Sequence, residues 1–405
     1  MGTSKCIIHV TEYMSPDING KGTDVLNLAR IIESILDPKE NYIISGKWTP
    51  QEKILEEMNE FSIYRISFFQ YISSILKLRV ISMILLPLIP LILGVATIRF
   101  IKQLKLNEGC HEILVFGHHL WGGVAVAFAS ILTDTPAYLI LYGTAGAYGV
   151  IFDRLETFFL NLLRRSFRKV FILDDGSNLL YKAISIFGPE VCIIFPQIIP
   201  EHAIESESDL RDSRDSQFKI MWLSGFNSAK SPTQAILAFS SFIDLIKKGK
   251  YPLNNIKLIM AGDGSLLSEC QNLVMKLKLD RQVVFLGRLP PDEGMRYLIR
   301  SNLLLITSKS NSNFGRVALE ALYLRVPIIA TDTGRTKEFL TTHKHALICP
   351  NDPQSIGNCI LEIFLNPKLA RKLACNGRKL VSSKYTREIR EEIFKKAFLA
   401  NSNHE

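Results

Sequence analysis

No D-x-D triplet, no G-x-G-x-x-G and no G-x(4)-G-K-[ST] occurs anywhere in the 405 residues. Without the first, metal-dependent single-domain sugar transfer has no acidic pair to hold its ion. Without the others, neither a dinucleotide nor a P-loop phosphate has its glycine cradle. No paired-carboxylate signature of glycoside hydrolysis emerges either. Cysteine is scarce and odd in number: the seven residues include no C-x-x-C spacing. They read as free thiols in a reducing compartment, and no metal site is expected. No long apolar run opens the chain, since KCIIHVTEY reads as a first strand and not as a secretory core. The Met-Gly start has Cys6 where a myristoylation signal needs Ser or Thr. Acids are outnumbered: 39 Asp and Glu against 48 Lys and Arg leave a net charge of +9, which favours anionic partners.

What is present is a chain 47% apolar and 21% charged, enough for two well-cored domains. In the second half, FKIMWLS, IKLIMAG, QVVFLG, NLLLITS and PIIATD alternate with helix-length stretches such as Thr233–Lys248 and Leu266–Leu279. That rhythm predicts βαβ units and a parallel, doubly wound sheet, with ligands beyond the carboxyl ends of its strands. The first half repeats it through CIIHVTE, NYIIS, EILVFG, PAYLILY, KVFIL and VCIIF. EHAIESESDLRDSRDS, polar and poor in apolar residues, reads as the linker. The expected plan is an α/β protein with one Rossmann-like domain over 1–205, a linker over 206–217 and a second domain over 218–383. A charged amphipathic helix within 384–405 is expected to cross back to the first domain.

One segment departs from the alternation. Val80–Ile98 holds 19 residues without a charge, and Phe61–Asn107 contains no acid while Arg65, Lys77, Arg79, Arg99, Lys102 and Lys105 give it six positive charges. An apolar stretch with basic flanks has the composition of an interfacial, anionic-lipid-seeking element. A full crossing would separate CIIHVTE from EILVFG, which belong to one sheet. The reading is therefore an insert around 66–105 that dips into one leaflet, with a buried helix pair as the alternative. Pro87, Pro90 and Gly94 are expected to kink any helix there.

The most informative stretch is 310–339, SNSNFGRVALEALYLRVPIIATDTGRTKEF. A strand ends at Thr307, a loop with Ser312, Asn313, Phe314 and Gly315 follows, and a helix starts near Arg316. Its first turn offers unpaired N–H groups and a positive dipole end, suited to a pyrophosphate. Glu320, about one turn in, can accept two hydrogen bonds from vicinal hydroxyls.

Residues 314–332 resemble the nucleotide-sugar signature of family-four (group 1) retaining glycosyltransferases, which have the two-domain GT-B fold. The resemblance implies that Glu320 holds the donor ribose and that the amides around Phe314, Gly315, Arg316 and Val317 meet the sugar and pyrophosphate. Ser312 stands where the family has its first Glu, and Arg335 where a second glycine is usual. LSGFNSAKSP resembles the family's phosphate element, which gives Gly225 and Lys230 to the donor, with Phe226 in place of an Arg. MAGDGSLLSE resembles the G-D-G-P turn, although Gly262 and Gly264 read as turn geometry. VVFLGRLPPDE, with Arg288, resembles the element beside the base pocket. In the first half, VTEYMSPDINGKGTDVLNLARII resembles the opening strand and glycine loop, which places Gly20 and Gly22 at the cleft. EILVFGHHLWGG resembles the strand that ends in a His-containing loop, so His118 or its neighbour His119 is a cleft candidate. LILYGTAG occupies the place of a T-x-H-G element, with Tyr142 in place of the His.

What the resemblance implies is transfer of a hexose from a nucleotide-diphospho-sugar to a glycan or lipid-linked acceptor, retaining and metal-independent. His118, Tyr142, Lys230 and Ser312 would lie nearest the chemistry. The donor would be a co-substrate, with no resident cofactor. An anionic membrane surface is an expected partner and nucleic acid is not. The expected location is cytoplasmic, peripheral at the inner face of the membrane. The four departures, at Ser312, Phe226, Tyr142 and Arg335, motivate a rival reading: a non-catalytic nucleotide-binding relative, or the partner subunit of an active transferase.

Overall fold

The computed structural model describes residues 5–11, 21–46, 55–58, 61–66, 88–106, 110, 112–142, 150–176, 178–200, 203–204, 217–251, 255–309 and 315–399. Two sheets account for the strands among the described residues. The first contains β1 (Lys5–Thr11), β2 (Glu40–Gly46), β3 (Leu55–Met58), β4 (Phe61–Ile66), β5 (Glu112–His118), β6 (Ala137–Leu141), β7 (Lys169–Asp174) and β8 (Cys192–Pro196). Their spatial order is β3-β4-β2-β1-β5-β6-β7-β8, parallel except for the β3–β4 edge hairpin. The strand order reverses at β1, which lies between β2 and β5.

The second sheet contains β9 (Phe218–Leu223), β10 (Ile256–Ala261), β11 (Val283–Gly287), β12 (Leu303–Ile306), β13 (Ile328–Thr331) and β14 (Leu347–Cys349). All its pairings are parallel, in the order β11-β10-β9-β12-β13-β14, so its switch point lies between β9 and β12. Near-continuous apolar runs such as IKLIMA suit strands covered on both faces.

Helices α1 (Lys21–Leu36), α2 (Leu88–Leu106), α3 (His119–Thr133), α4 (Val150–Leu162) and α5 (Leu179–Phe187) clothe the first sheet. Leu93 and Ile101 of α2, Val124 of α3 and Leu160 of α4 share one core with Ile8, Val115 and Val170, so α2, α3 and α4 cover the same face. On the other face, α1 packs beside a late helix, Arg387–Leu399. That helix brings Phe394 onto Phe171, ring centroids 4.5 Å apart and nearly parallel. The chain thus returns to its first domain after finishing the second. The Arg390 guanidinium donates to the Pro196 carbonyl at 2.7 Å and secures the return.

Three expectations need correction. The described part of the uncharged stretch, Leu88–Ile98, runs as unbroken helix within α2, where Pro90 and Gly94 were expected to kink it. Its inner side, with Ile89, Leu93, Gly94 and Thr97, is buried against α3. Pro90 sits in the first turn, where its missing N–H costs no intrahelical bond and forces no kink. A Cβ at Gly94 would already touch the Ala125 carbonyl oxygen at 3.4 Å, so this glycine serves close helix packing. Residues 67–87 lie outside the described residues. Second, Cys6 and Cys110 are not free thiols but a disulfide. Lys5 pairs with Glu112 in the β1–β5 ladder, which holds the two cysteine Cα atoms 5.8 Å apart. Third, Phe226 faces no ligand: it is wholly buried, edge-on to Trp222 at 4.9 Å.

Candidate functional site at the two switch points

The loop after β9 builds one wall. Trp222 Nε1–H donates to the Thr307 hydroxyl at 3.1 Å, and that hydroxyl donates to the Ser231 carbonyl at 3.0 Å. The Lys309 N–H donates to the Ala229 carbonyl at 2.9 Å. The end of β12 therefore fixes the turn that carries Lys230. Gly264 braces the same turn from behind. At φ 151° it lies where L side chains rarely go, and a Cβ there would collide with the Phe226 carbonyl. Gly225 belongs to this brace, and Gly262 and Gly264 are turn geometry.

Between the ends of β9 and β12 opens a cavity of about 220 Å³. Lys230, Ser308, Gly315, Arg316 and Val317 line it together with Trp222. After α6 (Pro232–Lys248), α7 (Leu267–Lys276) and α8 (Pro291–Ile299), helix α9 (Arg316–Tyr323) starts there, with Gly315 as its N-cap in extended conformation. A cation and a helix N-terminus thus converge at the switch point, where open α/β sheets bind phosphorylated ligands. Burial pulls the Lys230 ammonium below the usual lysine range, and the charge of Asp175 opposes that pull. Asp175 directly follows β7, so the first domain faces Lys230 with an acid.

Glu320 is buried within α9 and does not line the cavity. Arg288 is exposed beyond β11 and also stands apart from it. Lys21 and Gly22 form the first turn of α1, beyond β1. Gly20, Ser312, Asn313 and Phe314 lie outside the described residues.

The first domain contributes a buried chain of rings at the ends of β1, β5 and β6. His9 Nδ1 lies 2.9 Å from His118 Nε2, and His118 Nδ1 lies 2.8 Å from the Tyr142 hydroxyl. Burial drives the His9 pKa down to about 3. Burial, reinforced by His9 and His119, holds His118 well below the usual imidazole range. Both rings are therefore neutral, and each hydrogen bond has one proton. His9 Nε2 is buried without a hydrogen-bond partner among the described residues. A bare buried acceptor costs less than a bare buried N–H. The proton of His9 therefore sits on Nδ1 and is donated to His118 Nε2. His118 in turn donates from Nδ1 to the Tyr142 oxygen, and the Tyr142 proton points away from His118. The sequence marks His118 and Tyr142 but not His9; its signal is a lone histidine in an otherwise apolar buried strand. His119 completes the group with its ring 4.6 Å from that of Tyr142 and a left-handed backbone, φ 59°.

Arg335 is placed quite differently from the glycine it replaces in the resemblance. Its guanidinium donates to Asp174 of the first domain at 2.6 Å and to Glu338 at 2.6 Å. Glu338 also accepts from the Tyr181 hydroxyl of the first domain at 2.9 Å, and Tyr181 lies under the guanidinium at 4.8 Å. Burial disfavours the charged guanidinium, yet the bonds and charges of Glu338 and Asp174 outweigh it and keep it protonated.

Among the described residues, Cys6, Glu40 and Cys110 bring their ligating atoms within 4.8 Å of one another. The disulfide ties up both sulfurs, so no thiolate pair is on offer, and the group lies at the starts of β1, β2 and β5, in the other sheet from the cavity.

Residues 207–380 match the family model described as Glycosyl transferases group 1. Over 147 residues the chain is 33% identical to an uncharacterized glycosyltransferase, MJ1178, of Methanocaldococcus jannaschii; the match covers 36% of this chain and 40% of that protein. It thus spans less than half of that relative's length. Among solved structures, sucrose-phosphate synthase from Thermosynechococcus elongatus superposes over 98% of this chain and 100% of its own, with a TM-score of 0.72 at 16% identity. HepE of Anabaena in complex with UDP covers the same shares with a TM-score of 0.69 at 15% identity. The fold is GT-B: two α/β domains, each with a largely parallel sheet.

Proposed function

We propose that the protein is a hexosyltransferase that moves a sugar from a nucleotide-diphospho-sugar to a glycan or lipid-linked acceptor. One observation carries the reading: Lys230 and the first amides of α9 line a single cavity at the β9–β12 switch point. That pairing suits a diphosphate better than a neutral ligand. The complex of HepE with UDP on the same fold supports a nucleotide as the donor's leaving part. The donor acts as co-substrate, with no resident cofactor, and nucleic acid has no part in the reaction. The site of action is the cytoplasmic, inner face of a membrane, reached peripherally. Among the described residues, no helix is long and apolar enough to cross one.

In this reading transfer is retaining and metal-independent. The bond from the sugar's anomeric carbon to the diphosphate oxygen breaks, and the negative charge that builds on the diphosphate falls on Lys230 and the amides near Gly315–Val317. The acceptor hydroxyl attacks from the same face. Its proton passes to the departing diphosphate. By the resemblance Glu320, two residues along α9 from the cavity-lining Ala318, takes the ribose hydroxyls where the nucleoside extends beyond the diphosphate. The bridge from Arg335 to Asp174 holds the domains together over the site, which excludes water.

The test is product analysis. The protein is incubated with UDP-, GDP-, ADP- and TDP-sugars, nucleoside diphosphate release is followed, and the anomeric configuration of the product is read by NMR. Slow hydrolysis of one donor with retained configuration supports the reading. A donor that binds but is never cleaved, with or without acceptor, supports the rival non-catalytic relative, to which Tyr142 and Arg335 point. Inversion would overturn the proposed mechanism.

A further inference from the structure

The outer side of the α2–α3–α4 layer is apolar where it ought to be wet. On α2, Leu91 and Val95 are each 50% exposed. At the end of α3, Ile131 and Leu132 are 65% and 67% exposed, and on α4 Phe158 and Leu162 are 60% and 61% exposed. The pattern follows from the layer. All three helices bury their inner sides in one core against one sheet face, so their outer sides look the same way. Leu91 and Val95, like Phe158 and Leu162, are four residues apart and share the outward stripe of their helix. Gly94 against Ala125 and the Lys105 ammonium on the Thr133 carbonyl set α2 and α3 side by side in the same direction. Their C-terminal ends therefore meet, and Leu106, Ile131 and Leu132 cluster there.

Among the described residues the exposed charges around this surface are mostly basic. Arg99 and Lys102 continue the outward stripe of α2, and Arg164 and Arg165 follow α4, all exposed. Neither α2 nor α3 contains an acid. Glu156 of α4 is turned inward and paired with Lys182 at 2.8 Å. Asp134, just past α3, is an exposed acid at its edge, and the side chains of Glu108 and of Asp153 on α4 lie outside the described residues. A soluble surface would intersperse both signs, and apolar side chains of this size cluster on a surface where something covers them.

We infer that the outer face of α2, α3 and α4 docks on an anionic phospholipid bilayer, with Leu91, Val95, Ile131, Leu132, Phe158 and Leu162 in the headgroup–acyl boundary. Arg99, Lys102, Arg164 and Arg165 meet lipid phosphates. The basic excess selects this occupant: apolar side chains flanked by Arg99, Lys102, Arg164 and Arg165, with no acid on α2 or α3, fit an anionic interface better than a protein patch of balanced charge. The surface deepens the membrane part of the proposed function by naming where contact occurs. It does not include the Lys230 cavity, so the two readings fail separately.

The test is co-sedimentation of the full chain with vesicles of phosphatidylcholine alone or with phosphatidylglycerol. The wild type should pellet with the anionic vesicles only. Arg99→Glu together with Lys102→Glu should weaken that binding at least about tenfold at low salt, since each basic residue near an anionic surface contributes severalfold. Ile131→Ser, Leu132→Ser and Phe158→Ser together should remove the binding that survives high salt. These side chains are exposed, so circular dichroism melting and nucleotide-sugar thermal shifts should stay as in the wild type. Absence of pelleting with anionic vesicles, or pelleting that neither set of variants reduces, overturns the inference. So does a concentration-dependent dimer, seen by analytical ultracentrifugation, that the serine variant abolishes: the face would then bind a second copy of the chain.

Discussion

Arg335 and Asp174, 161 positions apart in sequence, meet at 2.6 Å and join the two domains. The bond is well placed to matter because Arg335 is only 8% exposed and Asp174 22% exposed at their side chains. Tyr181 and Glu338 add a second tie beside it. Asp174→Asn keeps the shape and removes the charge. It is expected to cost about 1–3 kcal/mol of urea-unfolding free energy, between the values for exposed and buried pairs. It should also raise the radius of gyration in small-angle scattering as the domains part. An unchanged radius would mean that other contacts hold the domains closed.

Glu320 carries the proposed ribose contact. Glu320→Ala should weaken nucleotide-sugar binding about tenfold to a hundredfold, the loss of one or two hydrogen bonds to a charged acceptor. Titration calorimetry would measure this, with the fold checked by circular dichroism. Unaltered affinity would take Glu320 out of the site.

The ring chain predicts an order of effects. Tyr142→Phe removes the hydroxyl that His118 orients, and turnover should fall about tenfold or more. His9→Asn keeps a donor near the Nδ1 position and should retain most activity. His9→Leu removes that donor and should approach the Tyr142→Phe rate with donor KM little changed. If His9→Leu and His9→Asn behave alike, the chain does not orient Tyr142.

The same histidines set an acid limit on stability. His9 titrates near 6.5 when unfolded and about 3 when folded, and His118 is shifted in the same direction. Between those values the unfolded chain binds more protons than the native one. Stability is therefore whole above about 6.5 and declines as pH falls towards 3. From about pH 7 to about pH 5.5 the loss should be about 1 kcal/mol per histidine. Urea denaturation at the two values would measure it, and in His9→Asn the slope should be shallower.

Much of the architecture is legible in the sequence because parallel strands buried on both faces leave dense apolar runs. The runs read as CIIHVTE, EILVFG, FKIMWLS and IKLIMAG all became strands. The edge hairpin at Leu55–Ile66 escapes notice because LEEM is charged and FSIYRI alternates, the pattern of a half-covered edge. The Leu347–Cys349 strand is too short to register as a run. In the Leu88–Ile98 stretch an uncharged helix is apolar on its core side and on its outer side alike, and composition does not say which residues face which.

At the site, Lys230, Gly315, Arg316 and Val317 were legible because a strand-to-helix turn brings near neighbours together. Phe226 was not, because sequence order does not reveal that its ring turns into the core beside Trp222. Arg335 and His9 gain their meaning only from partners more than a hundred residues away.

The most direct measurement is a thermal-shift screen of the wild type against UDP-, GDP-, ADP- and TDP-sugars, with Lys230→Met beside it. A ligand that binds only the folded state raises the melting temperature by mass action. A nucleotide-sugar site at Lys230 predicts a selective rise with one donor class that Lys230→Met diminishes. No rise with any donor in a well-folded sample, or a rise that Lys230→Met leaves intact, would contradict it.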